Sequence, residues 1–208
     1  MLRLYDYGPS ANCFKVRLLL AQLGVPYERV PTDPFAGETR TAEYLARNPA
    51  GRTPVLELES GACLPESNAI CLYLAEGTEF VPADRILLAR VHGWLFFEQN
   101  LVLPTIGTAQ FLRMTGRSKL VPKAFDQRVE GGKAALAILE RHLTGRAFLV
   151  DERYTVADLS TYAYVHKAPD AGIDLNETAN VLDWLRRVEA TPTFGNDLDP
   201  YPPNAMAA

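Results

Sequence analysis

Cysteine and histidine are scarce in this chain, three of each among 208 residues, and neither is grouped for chemistry of its own. Cys13, Cys63 and Cys71 form no C-x-x-C pair, and their odd number fits a reducing compartment better than a disulfide-built scaffold. His92, His142 and His166 are too dispersed to suggest a metal site, so no metal is expected. No apolar run approaches the roughly 20 residues that a membrane span requires. The start, Met1 to Tyr7, carries an acid early and lacks the apolar core of a secretory signal. Basic residues are scattered rather than banded, and 21 Lys and Arg stand against 25 Asp and Glu, so the electrostatic footprint of a nucleic-acid binder is missing. The expectation is a cytoplasmic protein with neither nucleic acid nor membrane as partner.

What is present is ordinary for a globular protein: 48% hydrophobic and 22% charged residues, in a length that suits one large domain or two small ones. Disorder is expected only at the tail, 204–208, and in the Pro-rich stretch before it. Leu2 to Tyr7 alternates apolar and polar residues at period two, the pattern of a strand. Gly8-Pro9-Ser10-Ala11-Asn12 breaks it, and Val16, Leu19, Leu20 and Leu23 then define an amphipathic helix closed by Gly24. Pro26 to Val30 reads as a second strand, which completes a βαβ unit. A short helix over 41–45, a strand entered at Pro54, a short strand over 62–64 and a helix from Ser67 to Gly77, with Ile70, Tyr73 and Leu74 on one face, follow.

Beyond about residue 84 every strong signal is helical. Leu87, Val91, Trp94 and Leu95 mark one helix, and Val129, Leu136, Leu139 and Leu143 a second, ended by Gly145. A third opens at Thr155-Val156-Ala157-Asp158, an S/T-x-x-D capping box, and Val181, Trp184, Leu185 and Val188 form the last. The fold class expected is α/β plus all-α: an N-terminal βαβ-ββα domain over 1–77, a linker over 78–83, and a helical bundle over 84–208.

Three motifs in this order carry a resemblance over nearly the whole chain. Gly51-Arg52-Thr53-Pro54-Val55-Leu56 places a proline at a strand's first residue, where a missing N–H does least harm. Glu66-Ser67-Asn68-Ala69-Ile70 puts a serine at the head of a helix, where backbone N–H groups are unpaired and an anion can be held. Thr155 to Ser160 is the helix-start box of the second half. Together they resemble the soluble glutathione S-transferases, which implies a thioredoxin-like fold for residues 1–77. The resemblance implies a cis Thr53–Pro54 bond, with Thr53 or Val55 pairing with the cysteinyl backbone of glutathione. It also implies that Ser67 takes the γ-glutamyl carboxylate, Glu66 the ammonium group, and Arg52 the glycyl carboxylate.

Glutathione chemistry needs thiolate at neutral pH, and a free thiol has a pKa of about 8.5. Lowering it by about two units takes roughly 2.7 kcal/mol, within the reach of one hydrogen bond to a charged group aided by a helix N-terminus. Ser10, between the first strand and first helix, falls where theta-type and delta-type relatives keep their catalytic serine; Tyr5 and Tyr7 are the rival donors. Asn12 departs from that pattern and is similar to the nu-type arrangement, in which Ser or Thr and an Asn two residues later face the sulfur of a disulfide reductase. Cys13, at the helix start, is expected either to pack or to form a mixed disulfide, and Cys63 and Cys71 to pack.

The implied partners are glutathione as co-substrate and a small apolar electrophile, lodged in the cleft against the helical domain and lined from Leu101 to Met114, Phe111 included, and from the C-terminal region. A homodimer is implied too, with Glu98, Gln99 or Asn100 toward the interface. The function so implied is activation of the glutathione thiol for conjugation to that electrophile. The alternatives are a glutathione-dependent disulfide reductase or peroxidase, and a non-catalytic binding module on the same fold.

Overall fold

A computed structural model describes residues 1–206. Two compact units emerge among the described residues: Met1–Glu76 together with Pro192–Asn204, and Gly77–Thr191 with Ala205 and Met206.

The first unit is a four-stranded sheet accompanied by three α-helices. β1 (Leu2–Asp6) runs parallel to β2 (Tyr27–Pro31) and antiparallel to β3 (Val55–Glu57), which pairs antiparallel with β4 (Cys63–Pro65). The β1–β2 crossover is α1 (Ala11–Leu23), ended by Gly24 in the left-handed conformation that glycine adopts without steric cost. Phe14, Val16, Leu19 and Leu20 of α1 are fully buried, as are Leu4, Val55 and Leu56 of the sheet. α2 (Ala42–Arg47) is capped by the Thr41 hydroxyl, and α3 (Ser67–Ala75) buries Ile70, Cys71 and Ala75. Tyr73, expected on the buried face of α3, is instead half exposed, because the stripe that packs runs through Cys71.

Residues 192–204, assigned from sequence to the helical domain, cluster with the sheet. This strap has no helical periodicity, and its prolines deny it a ladder. Its carboxylates answer buried cations: Asp197 takes Arg17 at 2.8 and 2.9 Å, and Arg17, only 2% exposed, also bonds Asp6 at 2.6 Å. Asn204 bonds Asp33 at 2.6 Å, and the Asp199 N–H donates to the Gly8 carbonyl. The expected disorder of this stretch is therefore replaced by ordered contacts, and Ala205 is fully buried; Ala207 and Ala208 lie outside the described residues.

The second unit contains α4 (Arg85–Phe97), α5 (Thr108–Met114), α6 (Pro122–His142), α7 (Val156–Val165) and α8 (Ala179–Glu189). A π-helical stretch, Glu98–Gly107, with Pro104 inside it, joins α4 to α5. Proline lacks the N–H that an α ladder needs, and widening the turn is one way to absorb that loss. The capping box of α7 is formed as its sequence predicts, by Thr155 and Asp158. No helix among the described residues is long and apolar enough to cross a membrane.

Candidate functional site at the N-termini of α1 and α3

Ser10 is the N-cap of α1. Its Oγ accepts from the Cys13 N–H at 3.3 Å. A hydroxyl has two acceptor lone pairs and one proton, so capping through oxygen leaves the O–H to donate, to the Cys13 sulfur or to a ligand. Capping and a role at a ligand sulfur are thus compatible in the same side chain.

Asn12, in the first turn of α1, meets α3: the Ser67 hydroxyl donates to Asn12 Oδ1 at 3.2 Å. That bond occupies the carbonyl oxygen of the Asn12 amide and leaves its NH2 group as donor. Ser67 is buried and is the first residue of α3; the N-cap position belongs to Glu66. Glu66 makes no capping bond through its side chain, is exposed, and sits at φ 71° and ψ 109°. A non-glycine residue there costs of order 1–3 kcal/mol, and such outliers gather at ligand sites.

The Thr53–Pro54 bond is cis. Val55 is fully buried and registers with Tyr5 on one side and Pro65 on the other, so its main chain is committed to the sheet. Thr53 lies before that ladder; of the two residues flanking Pro54, it is the one whose backbone stands outside the register. The turn is braced by residues that sequence reasoning passed over. Asn48 donates from Nδ2 to the Arg52 carbonyl at 2.7 Å and accepts from the Ala50 N–H at 3.0 Å, and the Tyr44 hydroxyl donates to the same Arg52 carbonyl at 2.9 Å. The Asn48-Pro49-Ala50-Gly51 composition was the available signal, since Asn readily bonds backbone two residues on. The Arg52 side chain is exposed.

Cys13 joins these pieces from below. Its sulfur is fully buried and accepts from the Tyr7 N–H at 3.4 Å, with the hydroxyls of Ser10 and Thr53 also within bonding reach. Burial pushes this thiol up to about 12, with Asp6 adding in the same direction and the three donors opposing. The helix start does not make it reactive: loss of solvation outweighs a partial dipole charge, so Cys13 is a packing residue. Cys71 is buried as expected, whereas Cys63 is only half-buried, against Tyr5, Tyr44 and Val55.

The rival tyrosines are placed elsewhere. The Tyr5 hydroxyl donates to Glu57 at 2.7 Å, with the Arg47 guanidinium 4.8 Å from its ring centre. The Tyr7 hydroxyl is buried, and burial, then Asp33 and Tyr201, raise it far above the ordinary phenol range. Ser10, Asn12, Thr53 and Ser67 are therefore brought together, Pro54 and Glu66 adjoin them in the chain, Val55 anchors the turn, and Arg52 faces solvent.

Known proteins are similar to this chain over both units. Residues 1–76 match the family description "Glutathione S-transferase, N-terminal domain", and residues 102–192 match "Glutathione S-transferase, C-terminal domain". The crystal structure of a glutathione S-transferase from Pseudomonas fluorescens is 39% identical, with a TM-score of 0.93 over 95% of this chain and 99% of that one. A maleylacetoacetate isomerase from Rhizobium meliloti is 34% identical over 92% of each chain. The glutathione transferase URE2P6 from Phanerochaete chrysosporium, solved in complex with oxidized glutathione, is 28% identical, with a TM-score of 0.84 over 92% of each chain.

Proposed function

The chain belongs to the glutathione S-transferase family, and from that premise we propose that its first unit binds glutathione and activates the thiol for transfer to a small apolar electrophile. In this reading the Ser10 hydroxyl donates to the glutathione sulfur and the Asn12 amide assists. The Thr53 main chain pairs with the cysteinyl backbone, with Pro54 and Val55 shaping that edge. Glu66 faces the ammonium group, Ser67 and the N–H groups of α3 hold the γ-glutamyl carboxylate, and Arg52 reaches for the glycyl carboxylate.

The observation that carries the reading is the Ser67–Asn12 bond at 3.2 Å, with the cis Thr53–Pro54 bond beside the sheet. The Ser67–Asn12 bond joins two helix N-termini, and this supports the reading because each favours an anionic group such as a carboxylate or thiolate. The test is ultraviolet difference spectroscopy of the glutathione complex near neutral pH. A mercaptide band that disappears in Ser10→Ala, with transfer to a chlorinated aromatic acceptor falling in step, is the expected result. Identical bands in both proteins would refute the assignment.

The free NH2 group of Asn12 favours a second reading, reduction of glutathione-containing disulfides at the same site. Turnover of hydroxyethyl disulfide that is lost in Asn12→Ala, with little transfer activity, would establish it over the first. The similarity to an isomerase makes maleylacetoacetate a substrate to include in the same assay. The active species in this proposal is a homodimer, which sedimentation velocity would show as one species of twice the chain mass.

A further inference from the structure

No Asp or Glu occurs over residues 99–125, although the chain carries 25 of them among its 208 residues. All four cations of that stretch, Arg113, Arg117, Lys119 and Lys123, fall at the turn between α5 and α6 in the second unit. Elsewhere in this unit exposed cations are answered within one helical turn: Lys133 by Glu130 at 2.7 Å, Lys167 by Asp170 at 2.6 Å and Arg186 by Asp183 at 2.7 Å. Lys119 and Lys123 are exposed and have no ion-pair partner among the described residues. Charge scattered over the whole chain argues against a membrane partner; this turn is the local exception.

The same turn presents apolar surface. Leu120 is 65% exposed and Val121 41%, with exposed Pro122 next to them. Their backbone is fixed. The Leu120 N–H donates to the Arg117 carbonyl at 2.9 Å, closing a 3-10 turn over Arg117–Lys119, and the Phe125 N–H donates to the Val121 carbonyl at 2.9 Å. Pro122 opens α6 with its φ preset for a helix. Arg117 ties the turn inward, donating to the Ala205 carbonyl with its guanidinium 5.3 Å from the Phe111 ring centre. Single exposed apolar residues are normal, but an adjacent pair between two unpaired lysines on a braced turn offers burial and charge at one place.

We propose that the α5–α6 turn docks on an anionic lipid surface, with Lys119 and Lys123 at the headgroups and Leu120 and Val121 entering the acyl boundary. Charge complementarity sets the sign of the partner. A chain of net charge −4 is repelled by an anionic surface in most orientations, so an acid-free turn also fixes which way it approaches. The apolar pair selects among anionic partners, because a nucleic-acid backbone offers phosphate but no apolar layer for Leu120 and Val121 to enter. The contact is peripheral and reversible: no helix among the described residues is long and apolar enough to cross a membrane, and two cations with two apolar side chains fall short of a stable anchor.

The test is co-sedimentation of the full chain with vesicles of phosphatidylserine and phosphatidylcholine in equal parts, and with vesicles of phosphatidylcholine alone. Wild type should pellet with the mixed vesicles and stay in solution with the neutral ones. Raising salt from about 0.1 M to about 1 M, which shortens the Debye length from about 10 to about 3 Å, should release it. Lys119→Gln with Lys123→Gln should lower the partition coefficient about twentyfold, at about fivefold per cation, and Leu120→Ser about tenfold. All three side chains are exposed, so circular dichroism and melting should match wild type. Lys133→Gln with Arg186→Gln makes the same change of net charge away from the turn and should bind as wild type does. The proposal is overturned if the mixed vesicles do not pellet the protein, if neutral vesicles pellet it equally, or if either turn variant binds as wild type does. It is likewise overturned if the Lys133–Arg186 control weakens as much as the lysine pair, or if duplex DNA is retained through Lys119 and Lys123 while vesicles are not.

Discussion

Asp158 offers the sharpest test of what holds the helical unit together. Its carboxylate is fully buried and accepts four bonds: Oδ1 from the Leu149 N–H at 2.8 Å and Trp184 Nε1 at 3.0 Å, and Oδ2 from the Thr155 N–H at 3.0 Å and the Thr155 hydroxyl at 3.1 Å. Asp158→Ala strands three buried N–H donors, each costing about 1–3 kcal/mol, a total comparable with the 5–15 kcal/mol of a whole domain. That variant should not fold its second unit. Asp158→Asn is more informative, because replacing either oxygen by NH2 leaves at least one of those N–H groups without an acceptor, at about 1–3 kcal/mol.

The pH dependence then has a definite sign. Burial raises this carboxyl from 3.8 to about 6, against the opposing pull of its four donors. The native state therefore binds more protons than the unfolded chain between those values. The stability so contributed is complete below 3.8 and is lost as pH rises through 6, about 3 kcal/mol in all. Asparagine does not titrate, so the deficit of Asp158→Asn should be largest near pH 4 and shrink by pH 7.5. Both tryptophans, Trp94 and Trp184, lie in the second unit, so tryptophan fluorescence in a urea titration reports on it directly. With a slope of about 2 kcal/mol per molar urea, the midpoint difference should narrow by about 1.5 M across that range. A deficit independent of pH, or an Asp158→Ala protein with the wild-type midpoint, would refute the account.

The thiols give a quick check of burial: native protein at pH 8 should react with Ellman's reagent chiefly at half-buried Cys63, and all three cysteines should react in guanidinium. Rapid native labelling of Cys13, read by mass spectrometry, would contradict its place beneath the turn. Glu66→Gly should raise the melting midpoint, since glycine adopts φ 71° without a Cβ clash worth about 1 kcal/mol, and should weaken retention on glutathione agarose. A lower melting midpoint would show that Glu66 is not strained.

Much of this molecule was legible in its residues because local chemistry and global fold agree. Val16, Leu19 and Leu20 recur at helical spacing and are buried, Gly24 stops α1 in the left-handed region, and Thr155 and Asp158 cap α7 as their spacing requires. Ser10 and Ser67 could be placed at helix starts because a serine there accepts from unpaired backbone N–H groups, as Ser10 does in capping α1. Each of these is a short-range signal, settled within a turn or two of chain.

What only the tertiary structure decided lies between residues far apart in sequence. That Ser67 bonds Asn12, and that Arg17 waits for Asp197 and so draws the strap onto the sheet, are contacts across 55 and 180 residues respectively. Desolvation follows the same rule. The composition around Cys13 suggested an ionisable thiol at a helix start, but its protonation is governed by how much water the packed chain removes. Periodicity and capping act along the chain and can be read there, while the solvation of a group depends on every segment that folds over it.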